Sequence, residues 1–164
     1  MRSTILVFLT IFFLQGCYSF KGINIPTDVT TYFVDNFQND AIGAPGDLHQ
    51  RFTEGLRAKI RNESRLTYNE QNPDIEFSGR IVRFSITPES PQAGNTVALN
   101  KFEITVSVDY FNNKDESKNW KSKQFTFFRT FESDKDFISI QDALIDEIFK
   151  QLYENVFNEA FTGW

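Results

Sequence analysis

The sequence predicts an α+β fold, a two-layer sandwich in which two helices pack on one face of a mainly antiparallel sheet of about five strands. Two segments place apolar residues at helical spacing, and five segments have the character of strands. Their order along the chain is strand, helix, four strands, helix. A chain of 164 residues, of which 40% are hydrophobic, is expected to form one domain with a sizeable core.

The first predicted helix begins at Asp47 as its N-cap, has Gln50 in the capping-box position and ends near Glu63. Its apolar stripe consists of Leu48, Phe52, Leu56 and Ile60. The second predicted helix begins after Ser139 as its N-cap, with Asp142 at the third position, where a carboxylate favours the helix dipole. Both helices therefore have recognisable starts.

Two rows of apolar side chains run along the second helix. The first row contains Ile140, Leu144, Ile148, Leu152, Val156 and Ala160. The second row contains Ile145, Phe149, Tyr153, Phe157 and Phe161. One row can cover the sheet, while the other either packs in the same core or contacts a partner. The sequence leaves both alternatives open.

The predicted strands cover residues 29–33, 66–68, 75–86, 102–110 and 120–131. In the third strand the apolar positions shift by one residue near Ile81, which predicts a β-bulge. In the last strand Phe125, Phe127 and Phe131 alternate, while Phe128 falls on the opposite face. Phe128 is therefore predicted to be an exposed aromatic residue that suits a partner.

The composition excludes several classes of function. A formal net charge of -5 lacks the excess of lysine and arginine that nucleic-acid binding requires. One cysteine and one histidine cannot form the usual zinc sites or an internal disulfide. Motifs for phosphate loops, serine hydrolases and zinc proteases are missing from the sequence. We therefore predict no enzyme, no catalytic residues, no metal site and no cofactor, and we expect His49 to contact solvent or cap its helix.

The first residues of the chain have the features of an export signal. A positive start is followed by an apolar run, residues 5–14, which is too short to span a bilayer. The motif Leu14-Gln15-Gly16-Cys17 resembles the lipobox of bacterial lipoproteins. This resemblance implies cleavage before Cys17 and attachment of acyl chains to that residue. The alternative is an ordinary buried cysteine.

The lipobox divides the chain into a signal peptide, residues 1–16, and a single domain, residues 17–164. Within that domain, residues 17–27 serve as the anchor and tether. Acyl chains hold a protein on a membrane without a spanning helix. Because no acidic residue follows Cys17 closely, we expect the outer membrane and its periplasmic side as the location.

Five basic residues gather on the predicted strands. They are Arg80, Arg83, Lys101, Lys121 and Lys123. They could bind phosphorylated lipid headgroups, although lysines that guard solvated strand edges explain them equally well. Strand alternation would place Lys121 and Lys123 on one face, beyond the covered core.

Three segments together resemble the LptE family of lipopolysaccharide-assembly lipoproteins, in particular its Bacteroidetes branch. The segments are Cys17-Tyr18-Ser19-Phe20 with the following Ile25-Pro26, residues 93–115, and residues 142–164. The resemblance implies two helices on a small sheet and a role without catalysis. It also implies that the lipoprotein is a plug inside the outer-membrane barrel LptD, helps that barrel assemble and helps deliver lipopolysaccharide to the outer leaflet.

The resemblance also suggests two kinds of contact site. Phe128 and Tyr153, as outward aromatic residues, are expected to contact the barrel. The five basic residues of the strands are expected to contact lipopolysaccharide. The protein would then lie at the cell outer membrane, on its periplasmic side and in the barrel lumen. The alternative function is that of a free periplasmic lipoprotein that binds a small amphiphile.

Overall fold

The computed structural model describes residues 22, 24–89 and 98–162. The predicted signal peptide and Cys17 lie outside the described residues. The strands are β1 (Thr31–Val34), β2 (Gln38–Asn39), β3 (Thr67–Tyr68), β4 (Ile75–Pro88), β5 (Leu99–Asn112) and β6 (Trp120–Glu132). The helices are α1 (Leu48–Glu63) and α2 (Phe137–Phe161), and a short 3-10 helix (Glu116–Lys118) connects β5 to β6.

The strands form one sheet in the order β3-β1-β4-β5-β6, and β2 pairs with β4 beyond the end of β1. The long strands β4, β5 and β6 are antiparallel. The short strands β1, β2 and β3 pair in parallel with their neighbours, so the sheet is mixed. The predicted α+β class is confirmed. The strand β2 was not predicted, because two polar residues without apolar alternation give no strand pattern.

The predicted bulge in β4 is confirmed. The pairing with β5 shifts between Ile81 and Arg83, which leaves Val82 as the extra residue. Ile81 is fully buried before the bulge, and Phe84 packs on the same core after it. The bulge therefore keeps both apolar halves of β4 directed toward the helices.

Both helices pack on one face of the sheet, and α1 also packs against α2. The four residues of the α1 stripe are all buried as predicted. Asp47 is the N-cap of α1, but its side chain makes no capping hydrogen bond, so the predicted capping box does not form. His49 does not cap the helix either; its Nδ1 atom is buried without a hydrogen-bond partner in the described part of the chain.

Helix α2 begins earlier than predicted. Its N-cap is Asp136, and Ser139 lies within the first turn, where its hydroxyl donates to the Asp136 carbonyl at 2.7 Å. The ring of Phe137 packs 5.0 Å from Phe102 and 5.7 Å from Phe131, measured between centroids. This aromatic contact fixes the first turn on the sheet, so tertiary packing outweighs the local capping signal.

The two apolar rows of α2 both belong to the core. The buried residues of this helix are Ile145, Ile148, Phe149, Leu152, Val156, Phe157 and Phe161. The second row packs on α1, and the ring of Phe149 lies 5.2 Å from that of Phe52. The same-core alternative is therefore confirmed for the second row.

Within the described residues, none of the helices combines the length and apolar character needed to cross a bilayer.

Candidate functional site

The face of β4, β5 and β6 that points away from the helices, called the outer face below, carries charged and polar side chains. On β5 the even-numbered residues from Phe102 to Tyr110 are buried in the core, and their odd-numbered neighbours point outward. Near the middle of this face the hydroxyls of Thr105 and Thr126 are 2.9 Å apart and share a hydrogen bond. Strand alternation thus separates a dry face from a polar one.

A mixed cluster of charged and aromatic side chains lies on the outer face toward the start of β5. Arg83 and Lys101 both pair with Glu103, at 3.4 Å and 3.1 Å. The Nζ atom of Lys101 also lies 5.5 Å from the ring centre of Phe128. Phe128 is 46% exposed, which confirms the predicted exposed aromatic residue. A cation beside an open aromatic ring is suited to an amphiphile with a negatively charged headgroup.

Two further cations lie on the same face. Arg80 pairs with Asp40 at 3.3 Å. Lys121 has its Nζ atom 5.1 Å from the ring centre of Phe111, which is an outward residue of β5. Four of the five predicted basic residues therefore share the outer face, but three of them already have a carboxylate partner.

Lys123 does not share a face with Lys121, so that prediction is wrong. Val108 pairs with Lys123 and Tyr110 pairs with Trp120, which leaves two residues of β6 opposite Asp109. The extra residue is Ser122, which has a φ of 51° and donates its N–H to Asp109 at 2.5 Å. This bulge interrupts the alternation, and Lys123 pairs at 2.5 Å with Glu159 of α2.

Tyr153 is also not where it was expected. Its hydroxyl donates to the Arg51 carbonyl at 3.1 Å, and its ring centre lies 5.1 Å from that of Phe52. A Cβ atom added at Gly55 would overlap this ring. Burial raises the pKa of Tyr153, and the nearby charge of Asp146 adds to that effect. The expectation of an outward Tyr153 is wrong because its row of α2 faces α1.

Ion pairs fix α1 to α2 around this tyrosine. The guanidinium of Arg51 binds Asp142 and Asp146, each at 2.8 Å. Burial alone would lower the pKa of Arg51, but the hydrogen bonds to the two carboxylates outweigh it and raise that pKa. Lys59 pairs with Glu154 of α2 and, within α1, with Glu63 at 2.7 Å. Charged side chains along the edges of both helices therefore hold α1 against α2.

One carboxylate that the sequence did not single out fixes the start of β1. Asp74 accepts hydrogen bonds from the N–H of Thr30 at 2.8 Å and of Thr31 at 3.0 Å. It also pairs with Lys114 at 3.1 Å. The Thr30 N–H first, and then Lys114 and Thr31, hold the pKa of Asp74 well below its usual range. Since no local pattern marks a contact across 44 residues, this role could not be predicted.

The tether is held against the end of the domain where α2 finishes. The N–H of Asn24 donates to the Phe161 carbonyl at 2.8 Å. Arg65 donates to the carbonyl oxygens of Ile25 at 3.1 Å and Pro26 at 2.5 Å. The predicted lipid-bearing residue lies seven positions before Asn24, and a chain of that length spans at most about 25 Å.

A pocket lies beside these tether residues, at the same end of the sheet. Its cavity volume is about 20 Å³, which is room for about one water molecule. Sites for small molecules commonly occupy about 300–1,000 Å³. Its lining residues are Asn24, Ile25, Pro26, Val29, Tyr110, Asn112, Lys118, Ala160 and Phe161. This pocket is therefore too small to hold a small amphiphile.

The chain is similar to solved structures of distant sequence. A hypothetical protein, CT253 from Chlamydia trachomatis, has a TM-score of 0.52 at 11% identity, over 80% of this chain and 97% of the other. An uncharacterized lipoprotein B from Nitrosomonas europaea has a TM-score of 0.48 at 10% identity, over 83% of this chain and 88% of the other. The first of these similarities supports the fold alone.

Sequence comparison gives the family directly. No curated protein sequence is significantly similar to this chain. In contrast, a family model described as LptE, Lipopolysaccharide-assembly, matches residues 29–160. This range includes every strand described above, all of α1 and all of α2 except its last residue. The protein therefore belongs to the LptE family of lipopolysaccharide-assembly lipoproteins.

Proposed function

We propose that the protein is a lipid-anchored plug and assembly partner of an LptD-type outer-membrane barrel and takes part in delivery of lipopolysaccharide to the outer leaflet, without catalysing a reaction. The family match over residues 29–160 is the observation that carries this proposal. The motif that ends in Cys17 supports lipid attachment after removal of residues 1–16. Residues 17–27 then connect the anchor to the folded domain.

The outer face is the proposed contact surface for lipopolysaccharide. Arg80, Arg83, Lys101 and Lys121 supply positive charge, and Phe128 supplies an apolar contact beside it. Phosphate groups on such a lipid would compete with Glu103 for Arg83 and Lys101. The carboxylate of Glu103 thus sets how much of the positive charge is available. We also propose that Phe128 contacts the barrel when the plug is in place.

Recovery of the barrel with the lipidated protein tests the partnership. The full chain, tagged at its C-terminus, is solubilised from outer membranes and purified, and the LptD-type barrel in the eluate is quantified by immunoblot. We expect the barrel to be retained by the wild type and reduced in the Phe128→Ser variant, whose melting temperature stays within the wild-type error. Absence of the barrel from the wild-type eluate would contradict the proposed partnership.

Binding of purified lipopolysaccharide tests the outer face. We expect Lys101→Glu to weaken binding, and Glu103→Gln to strengthen it severalfold because Arg83 and Lys101 lose their carboxylate partner. Binding of the wild type should weaken between roughly 50 and 500 mM salt. Lys150→Glu, at an exposed position on α2, is the matched control. Equal effects of the variants at Lys101 and Lys150 would exclude the outer face.

Lipid attachment is tested by incorporation of radiolabelled fatty acid. We expect label in the wild type, because Cys17 follows a lipobox-like motif. The Cys17→Ala variant should carry no label and should leave the outer-membrane fraction. Label that remains on the alanine variant would contradict the assignment of Cys17.

A further inference from the structure

The last strand of the sheet has one long edge that no other strand of the described residues covers. β6 pairs with β5 along one side, and the strand order places β6 at the end of the sheet. The strand at the opposite end, β3, has only two residues, whereas β6 has 13. An edge strand of this length presents a row of backbone groups that can pair with another chain.

The hydrogen bonds to β5 show which backbone groups of β6 point away from the sheet. The N–H of Ser133 donates to the Ala98 carbonyl at 2.9 Å. These two residues continue the register in which Leu99 is opposite Glu132. Because hydrogen-bonded pairs alternate along an antiparallel ladder, the odd-numbered residues of 123–133 direct their N–H and C=O groups toward β5. The even-numbered residues direct theirs outward and are called the edge row below: Gln124, Thr126, Phe128, Thr130 and Glu132.

The features that protect edge strands lie at the two ends of the edge row. A bulge at Ser122 precedes it. A turn follows it, in which the Lys135 N–H donates to the Glu132 carbonyl at 3.1 Å. Between these ends, residues 123–131 contain no proline. The edge row is therefore open to pairing with a further strand.

The cations of this segment are paired with carboxylates of α2. Lys123 pairs with Glu159 at 2.5 Å. Arg129 pairs with Glu147 at 2.7 Å. The Nη1 atom of Arg129 is also 3.4 Å from the carbonyl oxygen of Phe128, a weak hydrogen bond that the N–H of a neighbouring strand can replace. The segment thus has balanced charge, which favours a strand of balanced charge over an anionic lipid.

The edge row is complementary to a second copy of itself. Its middle residue is Phe128, so two antiparallel copies that are aligned end to end place Phe128 opposite Phe128. Thr126 is then opposite Thr130. Gln124 is opposite Glu132, and no like charges meet. All five residues fall in hydrogen-bonded pairs, which supply about ten backbone hydrogen bonds.

The same register also matches the side chains on the helix side of the strand. It places Phe127 of one copy opposite Arg129 of the other. Within one chain the Arg129 guanidinium already lies 4.6 Å from the ring centre of Phe127, so the pairing adds a similar contact between chains. Phe125 is placed opposite Phe131, and each is 8% exposed before pairing. Aromatic pairs of this kind stabilise neighbouring strands.

We infer that β6 is an interface between two copies of this chain, which join their sheets across a two-fold axis at Phe128. A second copy is the occupant that supplies this complementarity at every position of the edge row. The inference stands on the strand edge and does not depend on the barrel partner. Because pairing covers Phe128, the dimer and the proposed barrel contact are alternative uses of one edge. An interface of one strand is small, so the dimer dissociates on dilution.

Disulfides between introduced cysteines test the register. The full chain is purified in detergent, oxidised and run on a non-reducing gel. We expect Phe128→Cys to form a disulfide-linked dimer, because two copies of this residue face each other across the axis. Differently tagged Thr126→Cys and Thr130→Cys chains should form a disulfide when mixed. The wild type, oxidised in parallel, is the control for Cys17.

The matched control for these disulfides is Thr126→Cys alone. In the inferred register, the Cα atoms of the two copies of this residue are about 14 Å apart, because each is four residues from the position opposite the other. A disulfide requires a Cα separation below about 7 Å. We therefore expect no dimer from this variant alone.

Loss of one outward N–H group tests the pairing without a disulfide. Thr130→Pro removes an N–H that points away from β5, so the sheet keeps its own hydrogen bonds. Sedimentation over about a hundredfold range of concentration should show a reversible dimer for the wild type and a monomer for the proline variant. Thr130→Val keeps the N–H and is the matched control, which should form the dimer. Circular dichroism confirms that each variant is folded.

The outcomes decide between a second copy and other occupants. Absence of both disulfides would overturn the interface. A Thr126→Cys dimer as abundant as the Phe128→Cys dimer would contradict the register. Equal association of the proline variant and the wild type would assign the dimer to another surface and also overturn the inference. Recovery of the barrel is a separate measurement, so each of these failures leaves the proposed function intact.

Discussion

The two faces of the β4–β6 sheet are held in order by different forces. On the helix face, Phe102, Ile104 and Val106 are fully buried under α2 and its neighbours. On the outer face, the ordered contacts are ion pairs such as Arg83–Glu103 and the hydrogen bond between Thr105 and Thr126. Burial of a large apolar side chain contributes about 1.5–3 kcal/mol, whereas an exposed ion pair contributes about 0–1 kcal/mol.

This difference separates stability from recognition. Substitution of a residue on the helix face disrupts the core, so these residues serve to stabilise the fold. The outer face contributes little to the free energy of unfolding. Its basic side chains can therefore exchange a carboxylate of this protein for a phosphate group without loss of the fold. Substitutions on the helix face should therefore change unfolding, and those on the outer face should change binding.

Exchange of an aromatic residue for serine gives the largest contrast between the two regions. Tyr153→Ser removes the ring that fills the space beside Gly55 and Phe52, and we expect a loss of about 3–5 kcal/mol of unfolding free energy. Phe128→Ser on the outer face should change it by less than about 0.5 kcal/mol. Urea denaturation of the purified protein in detergent measures both. Equal losses would contradict the separation of the two regions.

The second prediction concerns Asp74, at the start of β1. Asp74→Asn weakens hydrogen bonds from Thr30 and Thr31 and the pair with Lys114, so we expect a loss of about 2 kcal/mol near neutral pH. Because folding lowers the pKa of Asp74, its stabilising effect is complete above about pH 5 and is lost as the pH falls below about 4. The difference between wild type and variant should therefore shrink in acid. A pH-independent difference would assign the effect to something other than the carboxylate charge.

The third prediction concerns Gly55 in the middle of α1. Alanine in place of glycine usually stabilises a helix interior by about 1 kcal/mol. Here the added Cβ atom would overlap the Tyr153 ring, so we expect Gly55→Ala to destabilise the protein by about 1–2 kcal/mol. In a Tyr153→Ala background the same change should become stabilising. Additive effects of the two substitutions would show that the ring does not contact this position.

The helix face of the sheet was predictable from the sequence because the apolar residues whose spacing predicts the helices and strands are also the residues that pack in the core. The α1 stripe and the bulge near Ile81 both follow from apolar positions alone. The exposure of Phe128 was predictable too, because it falls outside the apolar alternation of β6. Tyr153 lies in an apolar row of α2, and only the position of α1 shows that its ring is covered. Likewise, Asp74 acts across 44 residues, and its chain neighbours do not reveal that contact.

The outer face was less predictable because a bulge at Ser122 shifts the pairing register between β5 and β6. A positive φ in a strand is usually occupied by glycine, so Ser122 gives no sequence signal for a bulge. Strand alternation therefore predicts that Lys121 and Lys123 share a face, although the bulge at Ser122 interrupts the alternation between them. The basic residues could be found from composition, but their grouping into four on one face and one on the other required the structure.

The smallest expected effect is at Ser122, where the bulge separates the two lysines. Its φ of 51° disfavours a residue with a Cβ atom, whereas glycine adopts this conformation freely but loses more entropy on folding. We expect Ser122→Gly to raise the unfolding free energy by less than about 1 kcal/mol, because these two terms partly cancel. Lipopolysaccharide binding should be unchanged, since Lys121 stays beside Phe111. Ser122→Val is the matched variant: its branched side chain is strained at this φ, so it should destabilise the protein. Stabilisation by valine would mean that the bulge is absent in solution and that both lysines share the outer face.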